Sequence, residues 1–144
     1  MNTTWKTNWE ESKKRYLDWW NKKGLIISMW EHIEKEGDPY EIVPQPLPQK
    51  DLNQFYFDPE WRSAYLHHQL SKSSFLADIL PVANTHLGPG SLSAILGAEL
   101  EAGEDTIWIR HKDDFGDEIE LDPNNKWWKL HLDLVKACKE KSIG

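Results

Sequence analysis

The chain has 144 residues, of which 39% are hydrophobic and 28% charged, and its formal net charge is −7. That length and composition are typical of one globular domain with a packed core. The excess of carboxylates argues against nucleic-acid binding, which draws its affinity from clustered positive charge. No apolar run approaches the roughly 20 residues that span a bilayer, and the N-terminus lacks a signal peptide's apolar segment. We therefore expect a cytoplasmic protein without membrane contact.

The first 30 residues predict a helix followed by a strand. Thr7 or Asn8 can cap a helix that ends near Gly24. The apolar positions expected to pack against the core from this helix are Trp9, Tyr16, Trp19 and Trp20. Directly after Gly24, the apolar run Leu25–Trp30 is too short for a helix and rich in strand formers, so it predicts a buried strand.

The middle of the chain predicts a loop, a second helix and a second strand. Residues 37–50 carry four prolines, each of which fixes φ and removes a backbone donor, so this region predicts a surface loop. Asp58-Pro59 supplies an N-cap and a first-turn proline for a helix that runs to about Leu70. The run Phe75–Ala83 then predicts a second buried strand.

The last third predicts a helical turn, a hairpin and a long helix. The turn spans Ser91–Leu96 and is closed by Gly97, and the hairpin pairs Thr106–Arg110 with Glu118–Leu121. Asp122-Pro123 opens a helix that ends near Ser142. The alternation of helices and strands indicates an α/β fold with parallel strands, into which the hairpin is inserted.

Polar residues that follow the two predicted strands are the candidates for a binding site. Ligands in α/β folds meet the chain at the carboxyl ends of parallel strands. The first strand delivers Trp30, Glu31 and His32, and the second delivers Asp78, Asn84 and His86. Asp78 lies in an apolar run, where a carboxylate is costly unless it is paired, so it is either a catalytic group or the cap of a neighbouring loop.

The turn after the second strand combines an imidazole with glycines. His86 could transfer protons or contact a ligand, because imidazole titrates near neutrality, although a histidine in a loop can also be merely solvated. Gly88 and Gly90 allow the backbone to approach a ligand closely, and Ser91 could begin a helix whose N–H groups face an anion.

The remaining candidates favour structural roles. His67 and His68 are adjacent on a helix and cannot chelate one ion together, and Cys138 is the only cysteine and lies in a helical pattern. An acidic cluster has neither the spacing nor the distal glutamate of an EF-hand and favours a solvated hairpin tip: Asp113, Asp114, Asp117 and Glu118. Most of the nine tryptophans are expected to pack in the core, although aromatic rings can also stack on sugars or flat cofactors.

In these features the chain resembles the N-terminal part of the uroporphyrinogen decarboxylase superfamily, which includes cobalamin-dependent methyltransferases. The resemblance rests on the N-terminal helix, the Leu25–Trp30 strand, the Ala77-Asp78-Ile79-Leu80 motif with its small-residue turn, and Leu96–Leu100. It implies that Asp78 corresponds to the catalytic and substrate-orienting carboxylate of the decarboxylases. It also implies a (β/α)₈ TIM barrel, which needs about 250 residues, so we expect residues 1–144 to be an incomplete N-terminal portion.

The resemblance also implies a substrate class and partners. The decarboxylases place arginines after their first strand to hold substrate carboxylates, whereas Met29–Glu34 contains none. We therefore expect a small-molecule substrate and methyl transfer involving a corrinoid (cobalamin), carried by a corrinoid protein, with decarboxylation of a tetrapyrrole as the alternative. Relatives that use zinc take its ligands from later strands. The unfinished sheet would be covered by the remainder of the barrel or by self-association.

A third interpretation is a non-catalytic binding module that is complete at this length. In that case, exposed tryptophans would hold a sugar or a protein partner. This interpretation and the incomplete barrel make opposite demands on the isolated chain, because a module is a stable monomer and an open barrel is not.

Overall fold

The structure is a computed structural model that describes residues 5–29, 42–110 and 120–142. In chain order, its elements are α1 (Trp9–Trp20), α2 (Leu52–Phe57), α3 (Pro59–Ser71), α4 (Ser91–Ile95), β1 (Glu99–Ala102), β2 (Ile107–Arg110) and α5 (Lys126–Lys141). The chain forms two compact units, the first from Met1–Pro44 with His68–Ala83 and the second from Gln45–His67 with Asn84–Gly144. No helix in the described ranges is long and apolar enough to cross a membrane.

The three predicted long helices are present, and two of them, α1 and α5, differ from the prediction in their ends or buried face. Asn8 occupies the N-cap position of α1 as predicted, but its side chain makes no capping hydrogen bond. The predicted apolar face is not the buried one, because Trp19 and Trp20 are exposed and Ser12 is the buried residue of the helix. A polar contact, described below, selects that face.

The long C-terminal helix begins later than its sequence predicts. Asp122 does not cap it; the Asp122 side chain instead accepts a hydrogen bond from the Asn124 N–H in a preceding turn. Asn125 is the N-cap of α5, and its Oδ1 accepts from the N–H groups of Trp127 and Trp128. The side-chain Nδ2 of Asn125 also donates to the Ala94 carbonyl, which fixes the start of α5 against α4.

The two segments predicted as parallel strands are joined by an antiparallel bridge in the first unit. Over the described residues, a single antiparallel bridge joins Ser28 to Ala77, and the Asp78 N–H donates to the Ile27 carbonyl at 2.8 Å. A regular strand is interrupted at Ala77, whose φ of +48° lies in the left-handed region that a residue with a Cβ rarely adopts. The complete parallel barrel remains a prediction.

One strand of the predicted hairpin is present, and it pairs with a segment that the sequence did not predict as a strand. Ile107–Arg110 pairs antiparallel with Glu99–Ala102, in the register Leu100 opposite Ile109 and Ala102 opposite Ile107. The four-residue connection is closed by a hydrogen bond from Gly103 N–H to the Thr106 carbonyl. Such a short connection loses little closure entropy, which favours this pairing. Of the predicted partner Glu118–Leu121, residues 118 and 119 lie outside the described ranges.

The second unit has an apolar core between the small sheet and α5. Its buried cluster consists of Leu87, Ala94, Leu100, Ile107 and Trp127. The Trp127 ring lies 5.0 Å from the ring of Phe57, so α2 covers this core from one side. Gly97, with φ of +111°, ends the helical turn before β1, as the sequence predicts.

Gly90 allows the turn before α4 to lie directly against β2. A Cβ at Gly90 would overlap Ile109 Cγ1 and lie 2.6 Å from Ile109 Cδ1. Gly90 has a φ of −88°, which any residue can adopt, so only the steric overlap opposes a larger side chain.

We predict that Gly90→Ala lowers the free energy of unfolding by about 1–2 kcal/mol, as overpacking does. Shortening the opposing side chain should recover most of that loss. The double variant Gly90→Ala/Ile109→Ala should therefore lose less unfolding free energy than the sum of the losses in the two single variants. Chemical denaturation of the four proteins measures the coupling. Strict additivity would contradict this packing.

Candidate functional site

The centre of the first unit is a backbone carbonyl that accepts three side-chain hydrogen bonds. The donors to the Ala77 carbonyl are Lys6 Nζ at 2.9 Å, Asn8 Nδ2 at 3.0 Å and Ser12 Oγ at 3.2 Å. Together these donors hold Ala77 in its left-handed conformation, which costs energy unless the surroundings enforce it. The contact explains why α1 turns its Ser12 face inward.

The neighbouring Asp78 carboxylate is buried and fully engaged. Only 3% of the residue is exposed. Its Oδ1 accepts from Arg15 Nε and from Ser12 Oγ at 3.3 Å, and its Oδ2 accepts from the Ile27 N–H at 3.1 Å. Burial was expected from the aliphatic sequence around Asp78. The loop-capping interpretation describes these contacts well, because the carboxylate binds the segment after α1 through Ile27.

Opposing effects act on the pKa of Asp78. Desolvation raises it, but the Ile27 N–H, the Arg15 hydrogen bond and charge, and the Ser12 hydroxyl together lower the pKa below its ordinary value. Asp78 is therefore ionised at neutral pH. A carboxylate whose oxygens already have three donors is a weak proton donor and a good structural anchor.

Lys6 is the other buried charge of this network. Its Nζ donates to the Ala77 carbonyl and to the Phe75 carbonyl at 3.3 Å. Burial lowers the pKa of Lys6, the negative charge of Asp78 raises it, and the Arg15 guanidinium lowers it again. Arg15 also contacts Glu11 at 3.7 Å, so the two cations face two carboxylates and the network is electrically balanced.

The lowered pKa of Asp78 predicts how the first unit responds to acid. A carboxyl group whose pKa is depressed by folding stabilises the protein above its unfolded pKa, and this contribution is lost as the pH falls through the folded value. We predict that Asp78→Asn costs about 2 kcal/mol of unfolding free energy at pH 7, because a hydrogen-bonded charge is removed. The difference from wild type should shrink below about pH 4.

Denaturation curves recorded from pH 7 to pH 3 test this expectation. Asp133→Asn, at an exposed position of α5, is the matched control and should leave the free energy of unfolding nearly unchanged. A constant difference between Asp78→Asn and wild type across this pH range would show that the pKa of Asp78 is not depressed.

In the second unit, the turn at Asn84–Gly90 is fixed by its own side chains. Asn84 Oδ1 accepts from the His86 N–H at 3.3 Å, and His86 Nδ1 accepts from the Gly88 N–H at 2.9 Å. Ser91 Oγ accepts from the Leu87 N–H and donates to the Gly88 carbonyl. A ring nitrogen that accepts carries no proton, so the neutral His86 ring carries its proton on Nε2.

The two predicted glycines are required by packing in this turn. Gly88 has a φ of +81°, and a Cβ there would lie 3.1 Å from Ile107 Cβ. Gly90 faces Ile109 as described above. Both glycines therefore bring the turn onto β2, whereas we predicted them from a close approach to a ligand.

Arg62 supports the same turn from α3. Its guanidinium donates to the carbonyl of His86 and to the carbonyl of Tyr56 at 3.1 Å. Burial lowers the pKa of Arg62, while Cys138 and Tyr56 raise it. Conversely, burial raises the pKa of the Cys138 thiol, and Arg62 and Lys141 lower it. The thiol is thus kept protonated beside Arg62, in agreement with a packing role.

The predicted site residues divide between the two units. Asp78 belongs to the first unit, and Asn84, His86, Gly88 and Gly90 belong to the second. Asn84 and His86 are exposed and joined by a hydrogen bond, so the structure brings these two together. The other three predicted residues lie outside the described ranges: Trp30, Glu31 and His32.

The described residues do not form a metal site. Within them, no group of three or more histidine, cysteine or carboxylate side chains is placed to hold an ion. His67 and His68 illustrate this: the pKa of His67 is lowered by burial and by Lys141, while His68 Nδ1 lies 2.6 Å from the Val43 carbonyl and must donate to it. These two residues do not fit zinc.

Sequence reasoning missed the partners of Asp78 and the support of the His86 turn. A usable signal for the first was the polar series Asn8, Ser12 and Arg15, which recurs at helical spacing along one face of α1. It was overlooked because the aromatic residues on an adjacent face, Trp9, Tyr16 and Trp20, predicted a buried apolar stripe. Arg62 had no comparable signal, because its acceptors are backbone carbonyls and no residue type marks them.

Comparisons with known proteins add no relative. Neither a protein-family model, nor a curated protein, nor a solved structure matches this chain.

Proposed function

We propose that this chain is the opening part of a (β/α)₈ barrel enzyme of the uroporphyrinogen decarboxylase superfamily that transfers a methyl group from a small molecule to a corrinoid. The observation that carries the proposal is the fixed turn at Asn84–Gly90. Its internal hydrogen bonds use the acceptors Asn84 Oδ1 and His86 Nδ1. Asn84 Nδ2 and the protonated His86 Nε2, both on exposed residues, have no partner among the described residues and can donate to a ligand.

Two exposed donors suit a substrate whose leaving group gains negative charge. When a methyl group departs from oxygen, sulfur or nitrogen, the bond's electron pair stays on that heteroatom, which then takes a proton. In this proposal, His86 Nε2–H and Asn84 Nδ2 donate hydrogen bonds to that heteroatom as its negative charge develops, and solvent water supplies the proton. The corrinoid is a second substrate, brought by a partner protein, and it provides the electron pair that accepts the methyl group.

In this proposal, Asp78 is a positioning residue. The resemblance assigns the orienting carboxylate to Asp78, and its three donors favour an indirect role through the Ile27 segment. Exposed apolar residues in that segment also support an incomplete barrel: Leu25, 79% exposed, and Ile27 lie on the surface. Apolar strand residues of this kind are expected to be covered by further barrel elements.

Replacement of His86 tests the proposed chemistry in the complete protein. Cob(I)alamin and a panel of methylated thiols, amines and phenyl ethers serve as substrates, and the visible absorbance of the methylated corrinoid gives the rate. We expect His86→Gln to lower kcat by roughly 100-fold, as loss of a hydrogen-bond donor to a developing negative charge does. His67→Gln, on α3, is the control and should retain wild-type turnover.

The same assay separates methyl transfer from its rivals. Equal rates for wild type and His86→Gln would remove His86 from the chemistry. Turnover of uroporphyrinogen with release of carbon dioxide, and none of any methylated compound, would favour the decarboxylase instead. A reading frame that continues past Gly144 with further strand and helix units would support the barrel directly.

The binding-module alternative retains one specific observation in its favour. Trp19, Trp20 and Trp108 are exposed, and Trp20 has 77% of its surface accessible. Most tryptophans were expected in the core, yet of those in the described ranges only Trp127 is buried. Strong iodide quenching of a stable monomer that binds an oligosaccharide would favour this alternative.

A further inference from the structure

The segment that precedes α2 is constrained to an extended helix by its sequence alone. In Val43-Pro44-Gln45-Pro46-Leu47-Pro48, every residue is a proline or precedes one. Proline fixes its own φ near −65°, and the residue before it is pushed into the β or polyproline II region. Polyproline II has no internal hydrogen bonds, so its carbonyls are available to other groups. We call Gln45–Pro48 the strap.

Three aromatic rings on α2 and α3 form a cluster in the same unit as the strap. Trp61 and Tyr65, one helical turn apart, have ring centroids 5.2 Å apart and planes within 9° of parallel. The Phe55 ring lies 5.0 Å from Trp61 and 6.1 Å from Tyr65. Asp58 fixes the start of α3, because its Oδ1 accepts from the Trp61 backbone N–H. All three residues are half-buried, so part of the cluster faces solvent.

A side-chain hydrogen bond connects this aromatic cluster to the strap. The indole Nε1 of Trp61 donates to the Leu47 carbonyl at 2.7 Å. Leu47 itself is 84% exposed, so Trp61 holds the backbone of the strap while the Leu47 side chain points to solvent. Aromatic-lined grooves recognise polyproline II peptides in this manner, because the extended chain presents its carbonyls at regular intervals.

We propose that Phe55, Trp61 and Tyr65 form a polyproline-binding face, which the strap occupies within the chain and which a proline-rich peptide of a partner protein can occupy in its place. The charges beside the face favour a basic residue next to the prolines. Asp58 lies beside Trp61 at the start of α3, and the whole chain carries −7. This surface is independent of the proposed methyl transfer.

The attached strap competes with any peptide in solution. A tethered segment acts at an effective concentration on the order of millimolar, so an external peptide binds weakly until the strap is loosened. Replacing Pro46 and Pro48 by alanine removes the conformational constraint from the strap and leaves the aromatic face intact. The double variant Pro46→Ala/Pro48→Ala should therefore bind a proline-rich peptide more tightly than wild type.

Fluorescence anisotropy with a labelled proline-rich peptide that carries one terminal arginine measures this competition. We expect the double variant to lower Kd at least tenfold relative to wild type. Adding Trp61→Phe to the double variant keeps an aromatic ring but removes the indole N–H. This addition should raise Kd by at least tenfold. Trp108→Phe, at an exposed tryptophan of β2, is the matched control and should leave Kd unchanged. A peptide with alanine at every proline should not bind.

Two binding results would overturn the proposal: no saturable binding to the folded double variant, or an equal Kd with and without Trp61→Phe. Strap-dependent dimers in size-exclusion chromatography would also overturn it, because a second copy of the chain would then be the occupant. Circular dichroism confirms that each variant is folded. If the double variant is unfolded, the indole N–H resonance of Trp61 in the wild-type chain provides the test. It should shift saturably with millimolar proline-rich peptide, and an unchanged resonance would refute the proposal.

Discussion

The first unit depends on a set of polar contacts around two consecutive residues, Ala77 and Asp78. The Ala77 carbonyl and the Asp78 carboxylate together receive donors from Lys6, from α1 and from Ile27. In the described part of this unit, the residues classed as buried are all polar or charged: Lys6, Ser12, His68, Ser71, Ser73 and Asp78. Directional hydrogen bonds therefore determine which face of α1 turns inward, and the described apolar side chains of the unit are half-buried or exposed.

The second unit is held together by a different kind of interaction. Its buried apolar cluster lies between α2, α4, the small sheet and α5, and its glycines at 88 and 90 allow the turn to lie on β2. Arg62 and the Ser91 hydroxyl then fix the backbone of that turn. This construction keeps Asn84 and His86 exposed in a defined conformation, and the proposed methyl-transfer chemistry relies on it.

Local signals in the sequence predicted the three long helices but not α2, and they predicted the strands poorly. Asp58-Pro59 marks the start of α3 correctly, because capping and a first-turn proline depend on neighbouring residues only. The run Leu25–Trp30 has the composition of a strand, yet over its described residues only Ser28 makes a bridge, because strand pairing depends on a distant partner. For the same reason, the sequence did not predict that β2 pairs with the nearer β1.

For the candidate site, the sequence predicted the burial of Asp78 but not the groups that bind it. The aliphatic sequence around Asp78 correctly indicated a buried carboxylate, since an unpaired charge there would be costly. Its partners could not be predicted, because Arg15 and Ser12 lie more than 60 residues away in the chain and Ile27 contributes a backbone group. The tautomer of His86 likewise depends on the Gly88 N–H, which no residue type encodes.

Direct titration of the Asp78 carboxyl group tests the central claim, that an ionised and fully hydrogen-bonded carboxylate organises the first unit. Carbon-13 NMR of the side-chain carboxyl, followed against pH, reports this group alone. The structure predicts a pKa below the ordinary value of 3.8, because the donors from Ile27, Arg15 and Ser12 outweigh desolvation. A pKa at or above 3.8 would mean that burial dominates, and the network described here would then not exist in solution.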